Sequence, residues 1–218
     1  MTEISENLQM GRFITFEGGE GAGKTTLIRH LAAHFESRGT PVVTTREPGS
    51  GEFGKRIREI LLDGFSVTPK SELFLFLADR ANHIETFVKP ALAKGKLVLC
   101  DRYSDSTFVY QSAVRGIDEK FVRMANDVAT GYLVPEITFL LDLDAKIGLA
   151  RLDRANRLDK EPLEFHEQVR AGFLALARRE PNRFVVIDGS LPPDEVLAQV
   201  KAKLESPSDV GLDPNCSR

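Results

Sequence analysis

The sequence predicts a three-layer α/β fold, with a five-stranded, mostly parallel sheet flanked by helices on both faces. Three observations carry this. Five runs of four or five residues are β-branched or aromatic-rich and apolar on both faces, as buried parallel strands require. Longer stretches of helical periodicity separate them, which leaves room for a crossover helix between successive strands. Breakers stand at the joints, at Gly39-Thr40-Pro41, Gly95 and Pro135.

In chain order, Phe13–Phe16 is the first strand and Lys24–Arg38 the first helix. Val42–Thr45 follows as a strand, then helical patterns over Phe53–Leu62 and Ser71–Lys89. The third strand is Leu97–Cys100, and a single helix over Ser106–Ala129 leads to the fourth, Ile137–Leu141. Leu163–Arg179 precedes the last strand, Phe184–Ile187, and Pro193–Leu204 ends the series. Residues 145–160 break the alternation: they are charged and arginine-rich, with a weak apolar stripe. Residues 1–10 are polar and acidic and read as a flexible N-terminus. Residues 206–218 lack periodicity and read as a disordered tail, which leaves one folded domain at 11–205.

Length and composition exclude several classes. A chain of 218 residues suits one domain, or one plus a small lid. With 29 basic and 32 acidic residues the net charge is −3, which gives no electrostatic reason to expect a nucleic-acid partner. Hydrophobic content of 42% and charged content of 28% exclude disorder of the whole chain. No apolar run reaches about 18 residues, so no membrane span is expected. The first ten residues lack the regions of a signal peptide. Cys100 and Cys216 form no CxxC pair, and a reducing cytoplasm is the expected location.

Directly after the first strand, Gly18-Gly19-Glu20-Gly21-Ala22-Gly23-Lys24-Thr25 matches the pattern G-x-x-x-x-G-K-[ST]. Glycines let the backbone curl until its N–H groups converge on phosphate oxygens, and the helix that follows adds partial positive charge. Lys24 can reach the β- and γ-phosphates, and the Thr25 hydroxyl can ligate Mg²⁺. These residues, with Thr26, are the expected contacts of ATP in a P-loop NTPase fold. Neither D-x-x-G, N-K-x-D nor L-S-G-G-Q occurs, which removes GTPases and transporter ATPases. Kinases of small molecules remain.

Three further groups read as a second pocket. Asp101 and Arg102 end the third strand, where open α/β sheets bind ligands. Asp101 can hold Mg²⁺ through waters, and Arg102 can clamp a phosphate by two parallel hydrogen bonds; a structural ion pair is the plain alternative. Phe76 and Arg80, four apart, share a helix face and can hold a flat base and read its carbonyl, although Phe76 in so apolar a run also fits a core position. Thr107, Tyr110 and Gln111 share a face by their spacing, which equally describes a solvated one. His30 and His34 are four apart but lack the acid and third ligand of a zinc site.

Taken together, Phe16-Glu17-Gly18-Gly19-Glu20-Gly21-Ala22-Gly23-Lys24-Thr25-Thr26, Thr45-Arg46-Glu47-Pro48-Gly49, Asp101-Arg102-Tyr103-Ser104-Asp105-Ser106-Thr107 and Leu140-Leu141-Asp142-Leu143 resemble the bacterial type of thymidylate kinase. The likeness runs in matching order over about residues 11–205. It implies ATP-dependent phosphorylation of dTMP to dTDP with Mg²⁺, in a homodimer packed through helices near residues 53–93 and 106–130. It implies that Glu20 accepts a hydrogen bond from the sugar 3′-hydroxyl, and that thymine lies on Phe76 with Arg80 at its O4. It puts the acceptor phosphate on Arg102, with Arg46 and Pro48 flanking it. Thr107, Tyr110 and Gln111 would line base and sugar, with Tyr110 crowding a 2′-hydroxyl. The loop Asp188-Gly189-Ser190-Leu191 is the expected adenine contact. A kinase of another pyrimidine monophosphate such as UMP, or a non-catalytic nucleotide-binding regulator, is the alternative.

Phosphoryl transfer is mostly positioning and charge neutralisation. Some members of the resembled family carry an arginine in the phosphate loop beside the acid; here that residue is Gly21. The charge must come from elsewhere. The resemblance makes residues 145–160 a short arginine-rich lid that supplies it, and Arg151, Arg154 and Arg157, three apart, can share one helical face there. The expected catalytic set is Lys24, Arg102, Arg151 and Arg154, with Thr25 and Asp101 at the metal. The lid departs from the family pattern in this spacing and in being about three residues short between Asp159 and Phe165.

Overall fold

The computed structural model describes residues 10–63, 65–153 and 156–205. The terminal segments read as flexible, residues 1–9 and 206–218, lie outside these, as do Cys216 and Arg154. Five strands, β1 (Phe13–Glu17), β2 (Val42–Arg46), β3 (Leu97–Asp101), β4 (Ile137–Asp142) and β5 (Phe184–Asp188), form one parallel sheet in the order β2-β3-β1-β4-β5. Each expected strand is present and one residue longer at its carboxyl end. The added residues are Glu17, Arg46, Asp101, Asp142 and Asp188, all charged. The ladder continues through them, pairing Arg46 with Asp101 and Asp142 with Asp188. Apolar runs mark where a strand is buried; hydrogen bonding carries it one residue further, to the rim where ligands bind.

All five residues of β1 are buried, as a central parallel strand with helices on both faces demands. On one face Phe16 stacks on Phe139 at 5.6 Å, above Leu31 of α1 (Lys24–Ser37) and Val200 of α9 (Pro193–Glu205). On the other, Phe13 meets Tyr103 edge-on at 5.0 Å. Along β4, Leu140 packs with Phe173 and Val169 of α8 (Leu163–Arg179).

Three helical expectations change. The stretch predicted over Ser71–Lys89 starts earlier, as α3 (Pro69–His83), because Thr68 caps it and Pro69 suits the first turn. It then passes through a π-helical turn, Ile84–Val88, into α4 (Lys89–Ala93). The single helix predicted over Ser106–Ala129 is broken. α5 (Ser104–Thr107) and a π-helical turn, Phe108–Val114, end before Gly116, which has φ 74°, and Asp118 caps a new helix, α6 (Glu119–Thr130), at the Phe121 N–H.

The third change concerns the lid. Its helix, α7 (Ala145–Ala150), is capped by Asp144 and stops at Ala150. Arg151 follows the helix and Arg157 lies well beyond it, so the two do not share a helical face. Beyond the helix, Asn156 Oδ1 accepts the Leu158 and Asp159 N–H groups, and Asp159 Oδ2 accepts that of Asn156. Such side-chain-to-backbone bonds compete with helix, and here they win. α2 (Gly51–Leu62) lies before α3 and faces the lid.

Candidate active site

The loop after β1 is set by what surrounds it. Gly21 has φ 66°, and a Cβ there would lie 2.0 Å from the Gly148 carbonyl oxygen of α7. No side chain fits at this position, which explains why the loop carries no arginine of its own. Lys24 starts α1 and is buried; its Nζ donates to the Gly18 and Gly19 carbonyls at 3.0 and 2.8 Å. Burial, and then Arg102, push its pKa below the ordinary lysine value. Thr25 Oγ1 donates to Asp101 Oδ2 at 2.8 Å, joining the loop to the end of β3.

A cavity of about 330 Å³ opens over the loop, walled by residues 20–26, Arg46, Asp101, Arg102 and Arg151, and by Arg58. Arg58 had no signal in the sequence, being one of several charged residues on the amphipathic helix α2. Its Nη1 donates to the Pro48 carbonyl at 3.0 Å. Burial first, then Arg46 and Arg102, lower its pKa. Cations are therefore concentrated here well beyond the chain's average, as a polyphosphate site needs. Arg151 Nη1 lies 3.4 Å from both the Gly21 and the Gly189 carbonyls, so it bridges the loop and the turn after β5.

Arg102 forms the wall between this cavity and the next. Its backbone has φ 69°, uncommon for a residue with a side chain. Nη2 donates to Glu20 Oε1 at 2.6 Å, Nη1 to Ser106 Oγ at 3.2 Å, and the guanidinium sits 5.5 Å over the Tyr110 ring. Tyr110 Oη donates to the same Glu20 oxygen at 3.1 Å. Burial works against the Glu20 carboxylate, but Arg102 and then Lys24 outweigh it and lower the pKa. An acid in a phosphate loop is tolerated because those two cations flank it. Beneath, buried Glu17 accepts the Tyr103 and Ser106 N–H groups and the Ser106 hydroxyl, at 2.8, 3.2 and 2.6 Å. Burial, with Asp105 next, raises its pKa to about 7.

A second, smaller cleft of about 40 Å³ adjoins the first, and Glu20, Glu47 and Arg102 line both. Phe76, Arg80, Thr107, Tyr110 and Gln111 all line it, so these five predicted acceptor residues are brought together, while Arg46 lines the first cavity instead. Phe76 is partly buried: it lines the cleft and also packs against the core cluster of Ile57, Leu61, Leu62 and Leu158. Arg80 is more heavily engaged than a simple base reader. It donates to Glu47, Thr107, Asn126 and the Tyr103 carbonyl, all at 2.7 to 3.0 Å. Among the described residues four of its five N–H groups are thereby used, leaving one for a ligand. Pro48 lines neither cleft; it is buried beside them and holds Arg58. His34, read as no metal ligand, pairs with Glu205 at 2.8 Å.

The family pattern described as "Thymidylate kinase" matches residues 16–200. The thymidylate kinase of Desulfovibrio desulfuricans is 47% identical over 206 residues, covering 89% of this chain and 95% of that protein. The thymidylate kinase of Thermomicrobium roseum is 49% identical over 197 residues, covering 88% and 94%. The chain belongs to the thymidylate kinase family. The crystal structure of thymidylate kinase from Ehrlichia chaffeensis superposes with a TM-score of 0.75 at 34% identity, covering 90% of this chain and 99% of that one. The chain is thus a nucleoside monophosphate kinase, a phosphotransferase with ATP as donor and dTMP as acceptor, and the phosphate-loop α/β architecture is the family's own. No helix among the described residues is long and apolar enough to cross a membrane.

Proposed function

We propose that the two joined clefts run this reaction end to end, the loop cavity holding the ATP phosphates and the smaller cleft holding dTMP. The shared wall of Glu20 and Arg102 carries the reading, because it is where the acceptor phosphate must face the donor. Lys24 exchanges the Gly18 and Gly19 carbonyls for phosphate oxygens. Arg102 grips the acceptor phosphate, and Arg46 and Arg58 add charge at that end. An acceptor oxygen attacks the γ-phosphorus in line, the bond to the bridging oxygen breaks, and ADP leaves. No side-chain base is needed, since the acceptor phosphate is already ionised. Arg151, and the Arg154 of the same lid, meet the charge on the migrating group.

For Mg²⁺ the residues fit. Thr25 Oγ1 and Asp101 Oδ2, 2.8 Å apart, are hard oxygen donors beside the phosphate loop, and Mg²⁺ takes one or two protein oxygens with waters and substrate phosphates. Bound there it would neutralise phosphate charge. Gln111 and the single free N–H of Arg80 face the base, while Tyr110 beneath the sugar crowds a 2′-hydroxyl. Residues 11–205 act as one domain with a lid at about 145–160. Phe121, Met124 and Val128 are exposed on one stripe of α6, with exposed Phe74 against Phe121 at 6.4 Å. Large exposed apolar stripes mark interfaces, which supports a homodimer through α3 and α6. The cytoplasm is the setting where these nucleotides and reduced Cys100 coexist.

A panel of monophosphates with MgATP tests the reading. dTMP is expected to give the highest kcat/KM. Preference for UMP would reject the substrate, and ATP binding without dTMP-dependent ADP release would reject catalysis.

A further inference from the structure

Glu72 stands on α3 one turn before Phe76 and is 1% exposed. Nothing in its sequence neighbourhood marks it. Three side chains converge on its carboxylate. Gln111 donates Nε2–H to Oε1 at 2.9 Å. Arg157, from the lid, donates to Oε2 and also holds the Leu61 carbonyl of α2 at 2.8 Å. Arg115 approaches to 3.6 Å and pairs with Glu161 just past the lid at 2.6 Å.

A carboxylate flanked by two guanidiniums accepts hydrogen bonds and donates none, so it dictates how the Gln111 amide lies. The nitrogen must face Glu72 and the oxygen must face away. That oxygen is buried and has no hydrogen-bond partner among the described residues, and Gln111 lines the smaller cleft beside Phe76 and Arg80. A buried acceptor without a donor is costly, so the cleft suits a ligand that brings an N–H. Thymine and uracil carry one at N3. Cytosine carries an acceptor there, and only an inverted amide, with its oxygen against Glu72, would match it.

We propose that Glu72 is a specificity-positioning residue: it fixes Gln111 so that the pocket selects a pyrimidine with an N3–H, and through Arg157 it latches the lid over that pocket. This rests on the reading that the smaller cleft holds the base.

The test compares kcat/KM for dTMP and dCMP in the full chain, for Glu72→Gln, Gln111→Met and the double variant. Glu72→Gln is expected to lower the dTMP-to-dCMP ratio about tenfold, the worth of one hydrogen bond. The loss should fall on the KM for dTMP, with the KM for ATP held within about twofold. In the Gln111→Met background, Glu72→Gln should lower the ratio no further, since the two act as one unit. A ratio unchanged by Glu72→Gln, or losses that multiply in the double variant, overturns the proposal. If Gln111→Met alone leaves the ratio unchanged, the base lies elsewhere and both readings fall. Should Glu72→Gln not fold, Arg157→Gln carries the test: the latch predicts about a fivefold rise in the KM for dTMP, and an unchanged value refutes it.

Discussion

The phosphate loop and the lid serve the same phosphates and are built in opposite ways. The loop is local. Its glycines, Lys24 and Thr25 fall within eight consecutive residues, and its curl is closed by carbonyls five and six residues from Lys24. The lid is held from afar: Arg157 by α2 and α3, Arg151 by the loop itself and the turn after β5. They also meet where Gly21 and Gly148 pack backbone to backbone. Fixed donors can be written into a contiguous motif, whereas a group that must close and reopen is tied to partners that substrate can displace.

Substitutions can separate these two kinds of construction. The largest effect is expected at the shared wall. Arg102→Gln should cut kcat/KM for dTMP by about 10³-fold, because Glu20 loses its main counter-charge and the acceptor phosphate its clamp. Steady-state kinetics with each substrate varied would show this, with the KM for ATP much less affected. On the lid, Arg151→Ala should lower kcat about 100-fold, the scale of one transition-state donor. Near-normal turnover would assign the charge to another arginine.

The contact between loop and lid can be broken without touching a charge. Gly21→Ala places a methyl 2.0 Å from the Gly148 oxygen and forces a positive φ on alanine. A loss of about 1–3 kcal/mol is expected, visible as a lower Tm. Equal stability would mean that the loop and α7 part freely.

The smallest effect is a pH dependence beneath Arg102. Glu17 has its pKa raised from 4.5 to about 7, chiefly by burial. Its protonated form is therefore favoured by folding. That contribution is complete below about pH 4.5 and is lost as pH rises through 7. Tm should drift down across this window, and Glu17→Gln should flatten the drift. A slope unchanged by that substitution would assign the effect to another group, such as Asp79, raised to about 6 by burial and Glu47.

How much could be read in advance follows from the same contrast. The central strands β1, β3 and β4 are legible because burial on both faces leaves continuous apolar runs; the edge strands β2 and β5 are only partly buried and are legible from their β-branched residues. The last residues of all five are not, since Glu17, Arg46, Asp101, Asp142 and Asp188 are charged and belong to the rim. The break at Gly116, where φ is 74° and Asp118 caps a new helix, falls inside a stretch that the sequence pattern reads as one helix. In the lid, arginines three apart suit one helical face, but Asn156 and Asp159 bind backbone N–H groups within the segment and the helix ends before them. In the site, most residues inside short motifs come together, although Pro48 lines neither cleft. Arg58 and Glu72 carry no motif; their positions follow from how α2 and α3 pack, which only the fold reveals.

The central claim is that donor and acceptor meet across Glu20 and Arg102. A crystal structure with dTMP and a non-hydrolysable ATP analogue addresses it most directly. The account predicts the triphosphate within the curled glycine loop, the thymidine ring on Phe76, and the dTMP phosphate within hydrogen-bonding distance of Arg102. A dTMP phosphate remote from Arg102, or a triphosphate bound outside the loop, would contradict it.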